Sequence, residues 1–134
     1  MGVLMDSNVL IGLERGGASL ASFVRGREEE EMFISVVTAS ELLHGVHRAT
    51  SAKSRATRLA FVEAVLIALP VLELDLATAR SHAQLWSDLV RRGVMIGAHD
   101  AWLAATCLAH GLTLVTGNVR EFQRVHGLRV EEWK

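Results

Sequence analysis

Short runs of consecutive apolar residues alternate along the chain with longer segments in which apolar residues recur every three or four positions. A strand covered on both faces has a continuous apolar run, whereas the longer repeat is typical of helices. The predicted strands are residues 3–5, 32–37, 71–74 and 112–115, with a short candidate at 128–130. The predicted helices are residues 9–14, 20–25, 39–46, 55–69, 76–92 and 100–110. This alternation predicts an α/β protein of three layers, α/β/α, with a short parallel central sheet of four to five strands.

Several predicted helices have recognisable end signals. Thr38, with Glu41 three residues later, matches a capping box, so Thr38 is the predicted N-cap of the helix after the second strand. Pro70 ends the next helix, because proline cannot donate a backbone hydrogen bond. Gly93 and Gly111 follow the last two long helices, as glycine commonly does at a helix C-terminus.

The composition fits a single domain over residues 1–134. Half of the 134 residues are hydrophobic and the mean hydropathy is +0.27, which excludes a disordered protein. No apolar run reaches the roughly 18 residues of a membrane span, and Asp6 lies where a signal peptide would be apolar. Cys107 is the only cysteine, so we expect no internal disulfide and a reducing, cytoplasmic location. Because the formal charge is −1, nucleic-acid binding would need a local basic surface or metal ions.

Acidic residues follow the ends of several predicted strands. Asp6 ends the first strand, Glu41 lies one turn into the helix after the second, and Asp100 begins a late helix. Glu121 and Asn118 follow the fourth strand. Because ligands of parallel sheets gather at the carboxyl ends of the strands, these groups are expected to converge there. Converging carboxylates raise one another's pKa, and a hard divalent cation such as Mg²⁺ or Mn²⁺ would relieve that repulsion.

Each acid also has an ordinary structural interpretation. Asp6 and Asp100 could cap the helices that follow them, and Glu41 could be the capping-box partner of Thr38. Glu121 by itself could be solvated. Independent capping does not require these acids to meet, whereas a shared site does. The metal-site hypothesis therefore depends on the convergence of residues 6, 41 and 100 in space.

Four stretches of the chain, in order, resemble one family of nucleases. They are Val3–Asn8, Ser35–Gly45, Ile96–Ala105 and Leu114–Phe122, and the likeness continues through Gly127–Trp133. Together they are similar to the PIN-domain ribonucleases, in particular to the VapC-like toxins of bacterial type II toxin–antitoxin modules. The resemblance covers nearly the whole chain and implies a PIN-like fold.

The resemblance also implies functional residues. Asp6, Glu41 and Asp100 match the acids that bind magnesium in that family, and manganese is an alternative ion. Glu121, with the neutral Asn118 beside it, takes the place of a fourth catalytic acid. A Glu here is longer than the commoner Asp, so action through a water molecule is an alternative to direct ligation.

Residues beside these acids have expected supporting roles. Thr116 resembles the family's hydroxyl residue at the strand exit and could hydrogen-bond a ligand acid or a metal-bound water, as could Ser7 and Asn8. The implied reaction is endonucleolytic hydrolysis of RNA by a metal-activated water, which leaves a 3′-hydroxyl and a 5′-phosphate. No residue pattern suggests a histidine general base for attack by the ribose 2′-hydroxyl, and this fits water as the nucleophile.

A basic segment close to Glu41 in sequence is a candidate RNA contact. It carries Arg48, Lys53, Arg55 and Arg58 and contains no acid. A solvated junction between two helices is the alternative interpretation.

The resemblance implies two protein partners and no membrane association. VapC-like toxins form homodimers, and a cognate antitoxin covers helices near the site and can place a basic side chain among the acids. A hydrophobic content of 50% agrees with apolar surface left for such partners.

Other small α/β phosphoryl enzymes find less support in the sequence. A haloacid-dehalogenase-type phosphatase needs Asp-x-Asp after its first strand, and here the second position is Asn8. A phospho-receiver needs a lysine after a late strand, but the only lysines are Lys53 and Lys134. A dinucleotide-binding domain needs a glycine-rich turn after the first strand, which the sequence lacks. A PIN-like binding module without turnover is the remaining alternative.

Overall fold

The computed structural model of the chain describes residues 2–17 and 20–133, which form a parallel sheet with helices on both faces. The strands are β1 (Gly2–Met5), β2 (Glu31–Ser35), β3 (Val71–Leu72), β4 (Thr113–Thr116) and β5 (Val130–Glu132). The helices are α1 (Ser7–Arg15), α2 (Leu20–Val24), α3 (Val36–His47), α4 (Ala52–Ala68), α5 (Leu76–Arg92), α6 (Ala98–His110) and α7 (Val119–Phe122).

The strand order places β1 at the centre of the sheet. The order is β3-β2-β1-β4-β5, and every neighbouring pair is parallel. In the register, Leu4 of β1 lies between Phe33 of β2 and Leu114 of β4. After β1, the chain therefore adds β2 and β3 on one side of the sheet and then β4 and β5 on the other side. A crevice forms at such a switch point, beyond the carboxyl ends of β1 and β4.

Alternating side chains of the strands pack into two separate cores, one on each face of the sheet, which confirms the predicted α/β/α layers. Val3 and Met5 of β1 pack into one core with residues of α1, α2, α3 and α4. Leu4, which points to the opposite face, packs into the second core with residues of α5, α6 and α7. Adjacent residues of a strand point to opposite faces, so a continuous apolar run is what a sheet covered on both sides requires.

The start of α3 differs from the sequence prediction. The strand ends at Ser35 rather than Val37, and Ser35, not Thr38, is the N-cap, its Oγ accepting a hydrogen bond from the Val37 amide at 3.0 Å. Val36 and Val37 favour strands by propensity, but a serine cap at the sheet edge overrides that weak preference. Thr38 lies inside the helix with its side chain fully buried. The capping-box interpretation of Glu41 is therefore wrong.

Several other boundaries move by a few residues. Helix α1 begins at residue 7 rather than 9 because Asp6 caps it, and α4 begins at residue 52 because Ser51 caps it. The third strand is only two residues long, and the fourth is displaced by one residue so that it ends at Thr116.

The long helix α5 has the predicted bounds and ends at Gly93, which adopts the left-handed conformation with φ of +70°. None of the helices in the described ranges has the length and apolar character needed to cross a bilayer.

Candidate functional site

Asp6 lies at the centre of the site, directly after the central strand. It is 5% exposed, and it is also the N-cap of α1, where Oδ1 accepts a hydrogen bond from the Ser7 amide at 2.7 Å. Oδ2 accepts a second hydrogen bond from the Thr116 hydroxyl at 2.7 Å. Burial raises the pKa of Asp6 and the charge of Glu41 adds to that increase, while the hydrogen bonds from Thr116 and Ser7 oppose it. Asp6 thus combines a structural role with an anionic group held in a fixed orientation.

Thr116 at the end of β4 joins the two central strands at their carboxyl ends. Its hydroxyl donates to Asp6 and accepts hydrogen bonds from the Asn118 amide at 3.0 Å and from Asn8 Nδ2 at 3.4 Å. Asn8, on the first turn of α1, also accepts a hydrogen bond from the Gly117 amide at 3.1 Å through Oδ1. These contacts hold the exit of β4 against the start of α1, so the orientation of Asp6 depends on both elements.

Glu41 reaches the same edge from the second turn of α3. Its Oε2 accepts a hydrogen bond from the Ser7 hydroxyl at 3.1 Å, and that hydroxyl also lies 3.4 Å from Asp6 Oδ1. A serine hydroxyl has one proton, so it can donate to only one of these carboxylates at a time. On its other side, Oε1 of Glu41 lies 3.5 Å from Nδ1 of the exposed His99.

Asp100 in the first turn of α6 completes a set of interacting acids. The N-cap of α6 is Gly97, so Asp100 does not cap its own helix. Burial contributes most to raising the pKa of Asp100, and the charges of Asp6, Glu121 and Glu41 add to the increase, so that the pKa is about 6. His99 opposes the increase. Asp100 is therefore close enough to Asp6, Glu41 and Glu121 to be influenced by their charges, although the four acids come from separate elements.

Glu121 on α7 is directed toward the start of α6. Its Oε1 accepts a hydrogen bond from the Gly97 amide, and its Oε2 accepts one from Asn118 Nδ2, both at 2.8 Å. These bonds lower the pKa of Glu121, with the Gly97 amide contributing most. A Cβ atom added at Gly97 would lie 3.4 Å from Asp100 Oδ2 and 3.8 Å from Glu121 Oε1. Sequence reasoning missed Gly97, whose only local signal is a glycine just before a helix.

The donor chemistry of the cluster suits a hard cation, although the side chains are not gathered into a finished metal site. In the described part of the chain, no three His, Cys, Asp or Glu side chains form a group that would hold a metal ion as they stand. The acids nevertheless offer carboxylate oxygens alone, which suit magnesium or manganese rather than zinc. Because the charges of Asp6, Glu121 and Glu41 raise the pKa of Asp100, a cation placed among these acids would offset their repulsion.

The four predicted basic residues fall into two pairs. Arg55 and Arg58 donate hydrogen bonds to the carbonyls of Ala49 and Gly45, each at 3.1 Å, near the end of α3. Arg48 and Lys53 are exposed. A groove of about 430 Å³ lies beside Glu41, and the cations that line it are Arg15, Arg48, Lys53 and Arg58. The basic segment is thus adjacent to the acidic site, and Arg15 from α1 joins it without having been predicted.

Comparison with known proteins agrees with the resemblance in the sequence. A family model described as the PIN domain matches residues 3–128. Among curated relatives, "Ribonuclease VapC1" of Rickettsia felis is 35% identical over 130 residues, which is 97% of this chain and 95% of the relative. The "tRNA(fMet)-specific endonuclease VapC" of Shigella flexneri is 32% identical over 130 residues, 97% of this chain and 96% of the relative.

Solved structures share the fold along its whole length. A chain of DNA-bound VapBC from Salmonella typhimurium matches with a TM-score of 0.89 and 29% identity, over 100% of this chain and 99% of that chain. VapBC2 from Rickettsia felis, bound to a promoter DNA fragment, has a TM-score of 0.85 with full coverage of both chains. Its 23% identity supports a likeness of fold only.

Proposed function

Because the chain belongs to the PIN domain family, we propose that it is a magnesium-dependent endoribonuclease that acts as the toxin of a type II toxin–antitoxin module. The observation that carries this proposal is the convergence of Asp6, Glu41 and Asp100 from three separate elements, together with the raised pKa of Asp100. Capping or surface solvation would not bring these acids together. Relatives named as a ribonuclease and as a tRNA(fMet)-specific endonuclease, each aligned over 97% of this chain, support the same assignment.

Asp6, Glu41 and Asp100 would hold the proposed ion, and Mn²⁺ is expected to support cleavage in place of Mg²⁺. When bound, such an ion lowers the pKa of a water ligand and offsets negative charge that develops on the phosphate in the transition state. The hydrolysis forms a bond from the water oxygen to phosphorus and breaks the bond from phosphorus to O3′. Cleavage of that bond leaves a 3′-hydroxyl on one product and a 5′-phosphate on the other.

The residues around the acids would keep the carboxylates oriented. Thr116 and the Ser7 amide each hold one oxygen of Asp6, which restricts rotation of its carboxylate. The Ser7 hydroxyl supports Glu41 while remaining close to Asp6. Restricting these side chains before substrate binds lowers the reorganisation that the reaction would otherwise need. His99 lies on the exposed side of Glu41, where an approaching phosphodiester would pass.

The groove beside Glu41 is the proposed path for the RNA backbone. Arg48 and Lys53 are exposed there, so they can contact phosphates without breaking a hydrogen bond that holds the fold. Arg55 and Arg58 would act mainly through the carbonyls that they already bind. Because a relative with 32% identity is named for tRNA(fMet), transfer RNA is the first substrate class to test.

We also propose two protein partners and a cytoplasmic location. A cognate antitoxin is supported by the VapBC complexes that share the fold. A second copy of this chain is supported by the outer face of α5, where exposed apolar residues are spaced as in a heptad seam. These residues are Leu76, Ala79, Ala83, Trp86 and Val90.

The test is cleavage of purified RNA, including initiator tRNA, by the purified chain in Mg²⁺, in Mn²⁺ and in EDTA. Asp6→Asn and Asp100→Asn should each lower cleavage by roughly 10²-fold or more, while Glu63→Gln on the exposed face of α4 serves as the matched control. Mapping of the ends should give 3′-hydroxyls and 5′-phosphates. Cleavage that persists in EDTA and in both site variants would reject the assignment. Tight RNA binding without cleavage under every condition would favour the binding module instead.

A further inference from the structure

The start of α6 depends on a residue from another helix. Gly97 is the N-cap of α6 and has no side chain with which to cap it. Its amide instead donates to Glu121 Oε1 at 2.8 Å, a contact between residues 24 positions apart. Backbone amides at a helix N-terminus have no partner within the helix, and a carboxylate is favoured there by the helix dipole. Glu121 thus supplies from α7 the cap that α6 lacks.

The same carboxylate belongs to a continuous chain of hydrogen bonds that reaches Asp6. Glu121 Oε2 accepts from Asn118 Nδ2 at 2.8 Å, and the Asn118 amide donates to the Thr116 hydroxyl at 3.0 Å. That hydroxyl donates to Asp6 Oδ2 at 2.7 Å. The series Gly97–Glu121–Asn118–Thr116–Asp6 therefore connects the start of α6 with the end of the central strand.

We propose that Glu121 is a positioning residue rather than a direct metal ligand, and that with Asn118 it sets the position of Asp100 relative to Asp6. This inference rests on the proposed nuclease function for its effect on cleavage, but the contact itself does not. Both carboxylate oxygens of Glu121 already accept short hydrogen bonds from groups of the chain. Asp100 lies one turn into the helix that Glu121 caps, so movement at Gly97 moves Asp100 as well.

Two substitutions separate a positioning role from ligation. Glu121→Gln keeps the length of the side chain and a carbonyl oxygen that can accept from the Gly97 amide. The Asn118 amide group can turn to present its oxygen to the new nitrogen, so the connection survives while the negative charge is lost. Glu121→Ala removes both the charge and the connection. A ligand role predicts equal failure of the two variants, whereas a positioning role predicts rescue by glutamine.

The first readout is hydrogen exchange of the Gly97 amide, measured by NMR on the full chain without metal. We expect protection within a few-fold of wild type in Glu121→Gln, which keeps an acceptor for this amide, and a loss of roughly tenfold or more in Glu121→Ala, which removes it. Glu63→Gln on α4 should leave the Gly97 amide unchanged. Equal exchange in the wild type and Glu121→Ala would overturn the proposal whether or not the protein cleaves RNA.

The second readout is RNA cleavage as a function of Mg²⁺ concentration. Glu121→Gln should retain cleavage within about threefold of wild type and the same half-saturating Mg²⁺ concentration, while Glu121→Ala should lose about tenfold or more in rate. If Glu121→Gln keeps Gly97 protection but needs much more Mg²⁺ or fails like Glu121→Ala, Glu121 is a ligand and the proposal is wrong. Absence of cleavage in the wild type would instead reject the proposed function. Hydrogen exchange would still test whether Glu121 holds the Gly97 amide.

Discussion

Two aspartates near the starts of neighbouring helices, Asp75 before α5 and Asp100 in α6, have opposite electrostatic environments. Asp75 is the N-cap of α5, and its Oδ1 accepts a hydrogen bond from the Thr78 amide at 2.8 Å. That bond lowers the pKa of Asp75, and His110 lies 3.2 Å from its Oδ2. Asp100 caps nothing, and burial together with three other acids raises its pKa to about 6.

The difference teaches that the groups opposite an acid, rather than its place near a helix start, decide whether it is structural. Asp75 faces a backbone amide and a histidine, so its negative charge favours the folded state. Asp100 faces other carboxylates, so its charge opposes folding until a cation or a basic group neutralises the cluster. Such an arrangement is retained at functional sites at some cost in stability.

The largest expected effect tests this contrast in the reaction itself. Asp100→Asn should lower the rate of RNA cleavage by roughly 10²-fold or more, since a charged group in the reaction centre is lost. The same change at the other helix, Asp75→Asn, should leave the rate within about twofold, because Asn also serves as an N-cap. Single-turnover cleavage at saturating Mg²⁺ measures both. Comparable losses in the two variants would show that Asp100 acts through the fold rather than through the site.

A smaller effect is expected at Thr116, whose hydroxyl holds Asp6, a residue that is a helix cap like Asp75 and a member of the acid cluster like Asp100. Thr116→Val removes the hydroxyl that holds Asp6 Oδ2 but keeps the shape and strand preference of the side chain. We expect about a tenfold loss of cleavage, because hydrogen bonds to charged groups contribute on the order of 1.5–3 kcal/mol. Thr113→Val in the same strand is the control. Unchanged cleavage in Thr116→Val would mean that Asp6 is held well enough by its amide contact alone.

The substitutions Asp100→Asn and Asp75→Asn should change the Tm of the metal-free protein in opposite directions. The native pKa of Asp100 is about 6 against an ordinary 3.8, so the native state binds its proton more tightly and the free energy of unfolding falls as the pH rises through that window. Asp100→Asn should therefore raise the Tm by about 3–6 °C at pH 7.5 in EDTA. The gain should disappear near pH 3, below both pKa values, where the carboxyl is mostly protonated in the native and the unfolded state.

At Asp75 the sign is reversed, since its native pKa is lowered. Its charge contributes stability above its ordinary pKa, and that contribution is lost as the pH falls through the lowered native value. Asp75→Asn should lower the Tm slightly at pH 7.5 and have no effect at strongly acidic pH. Calorimetry of the two variants over pH 3–8 checks both signs, and shifts in the same direction would contradict the comparison.

The smallest expected effect concerns the histidine opposite Asp75. His110→Gln removes the imidazole that lies 3.2 Å from Asp75 Oδ2 but leaves the cap bond to Thr78 in place. Because the pair is solvent-exposed, the Tm should fall by no more than about 2 °C, and cleavage should not change. A large loss of cleavage would place this end of α5 within the functional surface and would remove the distinction between the two helices.

Elements with strong local signals were predictable from the sequence. Helix α5 has the predicted bounds because Asp75 begins it, Gly93 ends it, and both signals lie within a few residues of the helix. The strand at residues 32–37 was predicted two residues too long, since Val36 and Val37 suit a strand but follow a serine cap. Here a single hydrogen bond to Ser35 outweighs the propensity of two residues.

The acids of the candidate site were also selected from the sequence, by their positions after strands and by family resemblance. Their contacts were not. The Ser7 hydroxyl meets Glu41 across 34 residues, and Thr116 meets Asp6 across 110. The contact of Glu121 with Gly97 has no local signal at either residue. Such contacts follow from the order of strands in the sheet and from the packing of helices on it.

The sequence by itself determined the order of the strands and of the described helices other than the short α7, their buried faces and the residue types available at the sheet edge, because caps and periodicity act over a few neighbouring residues. The tertiary structure alone decided which acids lie close to other acids and which accept hydrogen bonds from backbone amides as helix caps. Desolvation and Coulombic repulsion sum over every group that lies nearby in space. For this reason Asp75 and Asp100 look alike in the chain and differ in the folded protein.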